Sequence, residues 1–363
     1  MKVTFPHMGN THIAIKALLK GLRLEVIPPP PITNRTLELG IKYSPEFACM
    51  PLKINVGNFI EAMEKGANTV VMAGGWGPCR FGYYAQVERD ILHDLGYEFK
   101  MVVLEAPDFK VTELFAQVKA LAQNVSFYAA IKAVRFAWYK LRAVEVMEKK
   151  LEYLLPRVIN KIKMEKLYDE SLVEIDNAVD KGQVDMLVAS YLRKMEDLPL
   201  SNNEVLKIGL IGEIYTILEP STNYDIIRHL GRLNAYITRS IYTSDWVNDH
   251  LLYGKVKKSN RQEILACAEP YLDYWVGGHG WETVGFAVNF AQEGYDGLIQ
   301  IGPLTCMPEI VAHQILGKVS REENIPCMTL YFDEHSGLAG ISTRIEAFVD
   351  MLWRKKQMQK MTV

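Results

Sequence analysis

Three of the five cysteines occupy one kind of place, a loop at the start of a helix predicted from the residue pattern. Cys49 is followed by Met50-Pro51, Cys306 by Met307-Pro308, and Cys79 is preceded by Gly77-Pro78. A proline two residues on suits the N1 position of a helix, which leaves the cysteine beside unpaired backbone N–H groups and the positive end of the dipole. Such a position favours thiolate, so all three are candidate ligands; three unrelated buried thiols are the plainer alternative. Cys267 and Cys327 lie within periodic apolar segments and are expected to pack in the core. Three thiols without a nearby C-x-x-C suit neither a closed zinc site nor a bacterial ferredoxin, so spacing alone leaves the metal open.

Other residues with chemical potential cluster around these loops. His279, in Gly277-Gly278-His279-Gly280, can donate a proton, ligate a metal or bond a sulfide, or simply form a turn. Glu46, three residues before Cys49, and Glu309, three after Cys306, are candidate proton carriers, against the plainer role of helix-dipole partners. Arg80 directly follows Cys79 and suits either an anionic centre or a surface ion pair. Asp333-Glu334-His335 reads as a turn cap rather than a metal site. Gly209-x-x-Gly212-Glu213 lacks the dinucleotide fingerprint and no P-loop occurs, so neither a dinucleotide nor an ATP site is expected.

The elements that must position these residues alternate. Val3 to Phe5 begins a strand, His12 to Leu22 has helical spacing, and Leu24 to Ile27 is extended before four prolines, Pro28 to Pro31, stop it. A helix through Ile54, Phe59, Ile60 and Met63 precedes the β-rich run Ala67 to Ala73 and then Gly74-Gly75. From about 126 to 200 glycine and proline nearly vanish and apolar residues recur at three- and four-residue spacing, which predicts a helical insert whose basic run from Lys132 through Arg142 to Lys166 is a docking face or, more plainly, a solvated helix surface. Strands resume at Leu206 to Gly212, Ala235 to Ser240, Gly297 to Ile301 and Met328 to Phe332. The expected architecture is α/β, two parallel-sheet lobes at 1–125 and 201–345, the insert at 126–200, and a C-terminal helix over 346–363 opened by a capping box of Thr343 and Glu346.

Composition narrows the class. The chain has 363 residues, with 41 Lys+Arg against 43 Asp+Glu, so bulk charge offers nothing to a phosphate backbone or an anionic membrane, and neither nucleic acid nor membrane is an expected partner. No apolar run reaches the ~18 residues of a membrane span, and five thinly spread cysteines suit a reducing cytoplasm.

At these residues the sequence resembles the 2-hydroxyacyl-CoA dehydratase component family, in its activase-related branch. The likeness is carried by Cys49-Met50-Pro51-Leu52-Lys53, Gly77-Pro78-Cys79-Arg80-Phe81-Gly82, Gly277-Gly278-His279-Gly280, Pro303-Leu304-Thr305-Cys306-Met307-Pro308-Glu309 and the run from Asp333 to Phe348. The resemblance implies two Rossmann-like lobes with one [4Fe-4S] cluster between them on Cys49, Cys79 and Cys306, and one iron left open. It also implies an ATP-hydrolysing activator of actin/Hsp70-like fold that supplies one electron, an acyl-CoA thioester that receives it as a ketyl radical, and assembly as a homo- or heterodimer. Five cysteines are too few for a double-cubane cluster. Two function classes stay open: a radical enzyme acting on an acyl-CoA or similar small molecule, and a non-catalytic cluster protein that relays electrons or binds the activator.

Overall fold

The computed structural model describes residues 1–75, 77–104, 117, 118, 121, 122, 125–250, 254 and 256–361. By internal contact the chain divides into two compact units, one of Met1–Ala143, Ile175–Val184 and Thr243–Ser259, the other of Val144–Glu174, Asp185–Tyr242 and Asn260–Val363.

In the first unit the chain runs β1 (Lys2–Thr4), α1 (Thr11–Gly21), β2 (Glu25–Val26), α2 (Asn34–Tyr43), α3 (Met50–Glu64), β3 (Thr69–Ala73), a 3₁₀ turn (Arg80–Tyr83), α4 (Tyr84–Asp94) and β4 (Lys100–Leu104). The strands pair in parallel in the order β2-β1-β3-β4. Reversal of direction between β2 and β3 makes the gap between the carboxyl ends of β1 and β3 the switch point of the sheet, where open parallel sheets bind ligands. α3 is buried on nearly every side, from Met50 to Met63. Glycines permit this: a Cβ on Gly40 of α2 would collide with the Lys53 carbonyl oxygen, and one on Gly57 of α3 with that of Thr36. Phe59, Val56 and Leu92 are fully enclosed in the core beneath it, each burial stabilising by roughly 1.5–3 kcal/mol.

Three helices fill the predicted insert: α5 (Phe127–Leu154), α6 (Lys161–Asn177) and α7 (Lys181–Glu196). Their basic face is not wholly solvated. Lys140 is buried and its Nζ donates to the Asp176 carbonyl at 2.8 Å, because Asp176 offers both that oxygen and, to Lys16, its carboxylate. Arg142 and Lys166 are exposed as expected.

The second unit carries β5 (Leu206–Gly212), α8 (Ile214–Leu218), α9 (Pro220–Asn223), α10 (Ile226–Arg232) and β6 (Ala235–Arg239). After α11 (Thr243–His250), which belongs to the first unit, it continues with α12 (Arg261–Ala268), α13 (Gly280–Gln292), β7 (Gly297–Pro303), α14 (Met307–Glu322), β8 (Cys327–Phe332) and α15 (Leu338–Met361). The order β6-β5-β7-β8, again all parallel, repeats that of the first sheet strand for strand. Arg239, at the end of β6, is enclosed with Glu148 and Glu152 of α5 at 2.5 and 2.7 Å, an ion-paired pin between helix and strand. The last helix starts eight residues before the expected 346. Thr343 therefore sits inside it, where its hydroxyl donates back to the Ala339 carbonyl at 3.0 Å instead of capping an end. The apolar face of Ile345, Phe348, Val349 and Leu352 is buried as the spacing required. Among the described residues no helix is long and apolar enough to cross a membrane.

Candidate functional site

Cys49 is the N-cap residue of α3, with Pro51 at the second helical position rather than the first. Its sulfur makes no capping bond to the helix; it meets the buried Tyr84 hydroxyl at the start of α4 in a short contact. Cys79 holds the corresponding place before the 3₁₀ turn, partly buried and again without a side-chain cap. The segment leading into Cys49 is held on several sides. Lys53, itself buried, donates to the Glu46 carbonyl at 2.7 Å, and Arg80 reaches from the Cys79 turn to the Phe47 carbonyl at 2.8 Å. Arg80 thus ties the two cysteine-bearing segments together through the backbone. The Glu46 side chain is exposed, and its place in the site comes from that carbonyl. Gly75 completes the turn after β3, since a Cβ there would lie 2.7 Å from the Phe81 ring, which in turn packs edge-on against Tyr84.

Directly under this surface, Glu88 lies one turn beyond Tyr84 on α4. It is fully enclosed, accepts from Asn55 Nδ2 at 3.0 Å, and burial pushes its carboxyl up to about 8 against that hydrogen bond. Nothing in the sequence pattern of Glu88 distinguished it from a surface glutamate.

In the second unit, Cys306 is buried and N-caps α14, with Pro308 at the second position. It leaves the carboxyl end of β7, at the switch point between β5 and β7. Gly212 ends β5 there at φ +133°, where a side chain would strike the Ile301 carbonyl. Glu213 follows and caps α8, its carboxylate accepting from the Tyr215 and Thr216 N–H groups at 2.9 Å. The glycine loop before α13 packs onto the Cys306 segment: a Cβ on Gly278 would stand 3.1 Å from the Pro308 ring, and one on Gly280 would stand 2.5 Å from the Pro308 carbonyl oxygen. His279, the N-cap residue of α13, is therefore brought to the Cys306 side of the unit. Strand-for-strand repetition of the two sheets matches Cys79 with Cys306, each after the third strand, and Cys49 with His279, each capping the last helix before it.

Glu309 does not face its own helix dipole. It turns inward, where Oε1 accepts from the Thr283 hydroxyl at 3.0 Å and Oε2 from Gln300 Nε2 at 2.9 Å. Burial pushes it up to about 7, opposed by those two donors and reinforced by the Glu213 and Glu282 carboxylates. A carboxyl poised there can hold or release a proton near neutral pH. Arg261 covers Glu282 from the other side at 2.7 Å.

Cys267 and Cys327 are partly buried rather than fully enclosed, both packed against the core of the second unit. Burial still pushes the Cys327 thiol up to about 12 and raises that of Cys267, which suits packing and not ligation. Asp333 forms the expected turn cap, accepting from the His335 N–H at 3.0 Å and the Ser336 hydroxyl at 2.9 Å.

No disulfide joins any of the five cysteines. Cys49 and Cys79 belong to the first unit and Cys306 to the second. Among the described residues, no three His, Cys, Asp or Glu side chains stand together as a metal site. In kind, the donors fit an iron–sulfur group: soft sulfurs at helix starts, none spent on capping its helix, two of them at sheet switch points. Compared with known proteins, the chain matches no family model and no curated protein.

Proposed function

We propose that this chain is an iron–sulfur protein in which Cys49, Cys79 and Cys306 hold one [4Fe-4S] cluster. In this reading the cluster is charged with single electrons by an ATP-hydrolysing activator protein and used to reduce an acyl-CoA thioester or a similar small molecule. The observation that carries it is the shared placement of the three cysteines, each the N-cap residue of a helical start and none making a side-chain capping bond there. A cluster with three protein ligands supplies a low-potential electron and one iron open to an exogenous group.

The protein's own part follows from the residues around the thiols. Arg80 fixes the Cys49 and Cys79 segments against each other. The Tyr84 hydroxyl beside Cys49 Sγ gives that sulfur a hydrogen-bonding partner that tunes a bound metal. His279, matched by topology with Cys49, is the side chain best suited to the open position or to a proton beside it. Glu309 stores a proton within one helical turn of Cys306.

Electron paramagnetic resonance of the anaerobically reduced protein tests this, with candidate acyl-CoAs and an ATP-driven activator added in turn. The proposal expects a cluster signal perturbed by a thioester. A signal indifferent to every thioester, with no turnover, would remove the enzyme reading and leave an electron relay.

A further inference from the structure

The donors that converge on Glu309 extend further than the site itself. Gln300 Nε2 spends its two hydrogens on Glu309, one on the backbone carbonyl and one on Oε2, both at 2.9 Å. This double donation fixes which end of the amide is oxygen. Gln300 Oε1 then accepts from the Thr329 hydroxyl at 3.0 Å. With its hydrogen committed there, Thr329 Oγ1 receives from His313 Nδ1, 2.9 Å away. Every link points the same way, from His313 on α14 through β8 and β7 back to Glu309 on α14.

We propose that His313 is a positioning residue for Glu309, held as the Nδ1–H tautomer at the head of a one-directional chain of donors. In this tautomer every donor of the chain keeps its hydrogen aimed toward Glu309, so the partners of that carboxyl group are fixed from three hydrogen bonds away. His313 is partly buried, whereas Glu309 is sealed, so His313 is the end that meets the surroundings.

The groups facing the chain come from each neighbouring element. Thr283 and Glu282 stand on α13, with Arg261 of α12 paired to Glu282, and Glu213 caps α8. From β8, the Tyr331 hydroxyl donates to the Glu309 carbonyl at 3.3 Å and its ring meets His313 edge-on at 5.9 Å. The use of this chain by the Cys306 site rests on the function proposed above; the tautomer does not.

The test is nitrogen-15 NMR on the full-length, iron-free protein with labelled histidine, His313 being assigned by its loss in His313→Gln. In the neutral ring, the wild type should show hydrogen on Nδ1. Thr329→Val, which removes the acceptor, should move it to Nε2, and Thr329→Ser should restore Nδ1. Hydrogen on Nε2 in the wild type overturns the proposal by itself, whatever Thr329→Val does to folding. A Thr329→Val protein that folds and keeps Nδ1–H overturns it too. Because no iron is present, failure of the cluster reading leaves this result untouched.

Discussion

Asn55 and Glu88 meet inside the first unit as an amide and a carboxyl group, with Asn55 Nδ2 donating to Glu88 Oε1 at 3.0 Å. The two remaining oxygens, Asn55 Oδ1 and Glu88 Oε2, are buried with no donor between them. Two acceptors cannot satisfy each other, but a proton on Glu88 allows it to donate, which is the state that burial favours. Asn55 on α3 and Glu88 on α4 thereby join the two helices that carry Cys49 and Tyr84.

A pH dependence follows. Glu88 rises from its ordinary 4.5 to about 8 in the folded chain, so the folded state holds a proton that the unfolded state loses between those values. Its contribution to stability is fully present below 4.5 and is lost as pH rises through 8, by an amount of order 5 kcal/mol. Glu88→Gln keeps the hydrogen-bonding pattern of the neutral acid without the proton. Urea unfolding at pH 5 and pH 9 should show the variant equal to or slightly below the wild type at the lower pH and above it at the higher.

The close crossing of α2 and α3 makes Gly57 a second test. Gly57→Ala forces a methyl group against the Thr36 carbonyl, and overpacking of this kind costs about 1–3 kcal/mol or more where backbone must move. Since α3 begins at Cys49, the same substitution should lower iron uptake beyond what the stability loss explains. Normal iron content with lowered stability would mean that the helix start does not depend on the crossing.

The parallel strands were legible because buried strands read as short apolar, β-branched runs; Val70 and Val71 of β3 or Leu298 and Ile299 of β7 point nowhere but into a core. The helix starts at Cys49 and Cys306 were legible from Cys-Met-Pro alone. The last helix was misread because Thr343 and Glu346 have capping-box spacing, whereas the preceding Leu338 to Ser342 contains a glycine yet stays helical. Lys140, Glu88, Gln300, Thr329 and His313 left no local signal. Their roles arise from partners far along the chain, as Lys140 finds Asp176 and Asn55 finds Glu88, and only packing brings those pairs together.

Arg80 separates positioning from folding. Its side chain is exposed and bonds a neighbouring loop carbonyl, so Arg80→Ala should change global stability by no more than about 1 kcal/mol. Iron and sulfide content after anaerobic reconstitution should nonetheless fall severalfold, with Arg80→Lys giving little rescue because an ammonium lacks the fork and reach of the guanidinium. Full iron loading in Arg80→Ala would show that the two cysteine segments need no such tie.

The central claim is the sulfur ligand set, and iron and acid-labile sulfide analysis of the five single Cys→Ala proteins tests it most directly. After anaerobic reconstitution the wild type, Cys267→Ala and Cys327→Ala should each carry about four irons and four sulfides, the latter two losing only ~1–2 kcal/mol of packing. Cys49→Ala, Cys79→Ala and Cys306→Ala should each lose most of the cluster while remaining folded. A wild type that stays colourless and iron-free, or a cluster that survives in any of these three and vanishes with Cys267 or Cys327, would contradict the assignment.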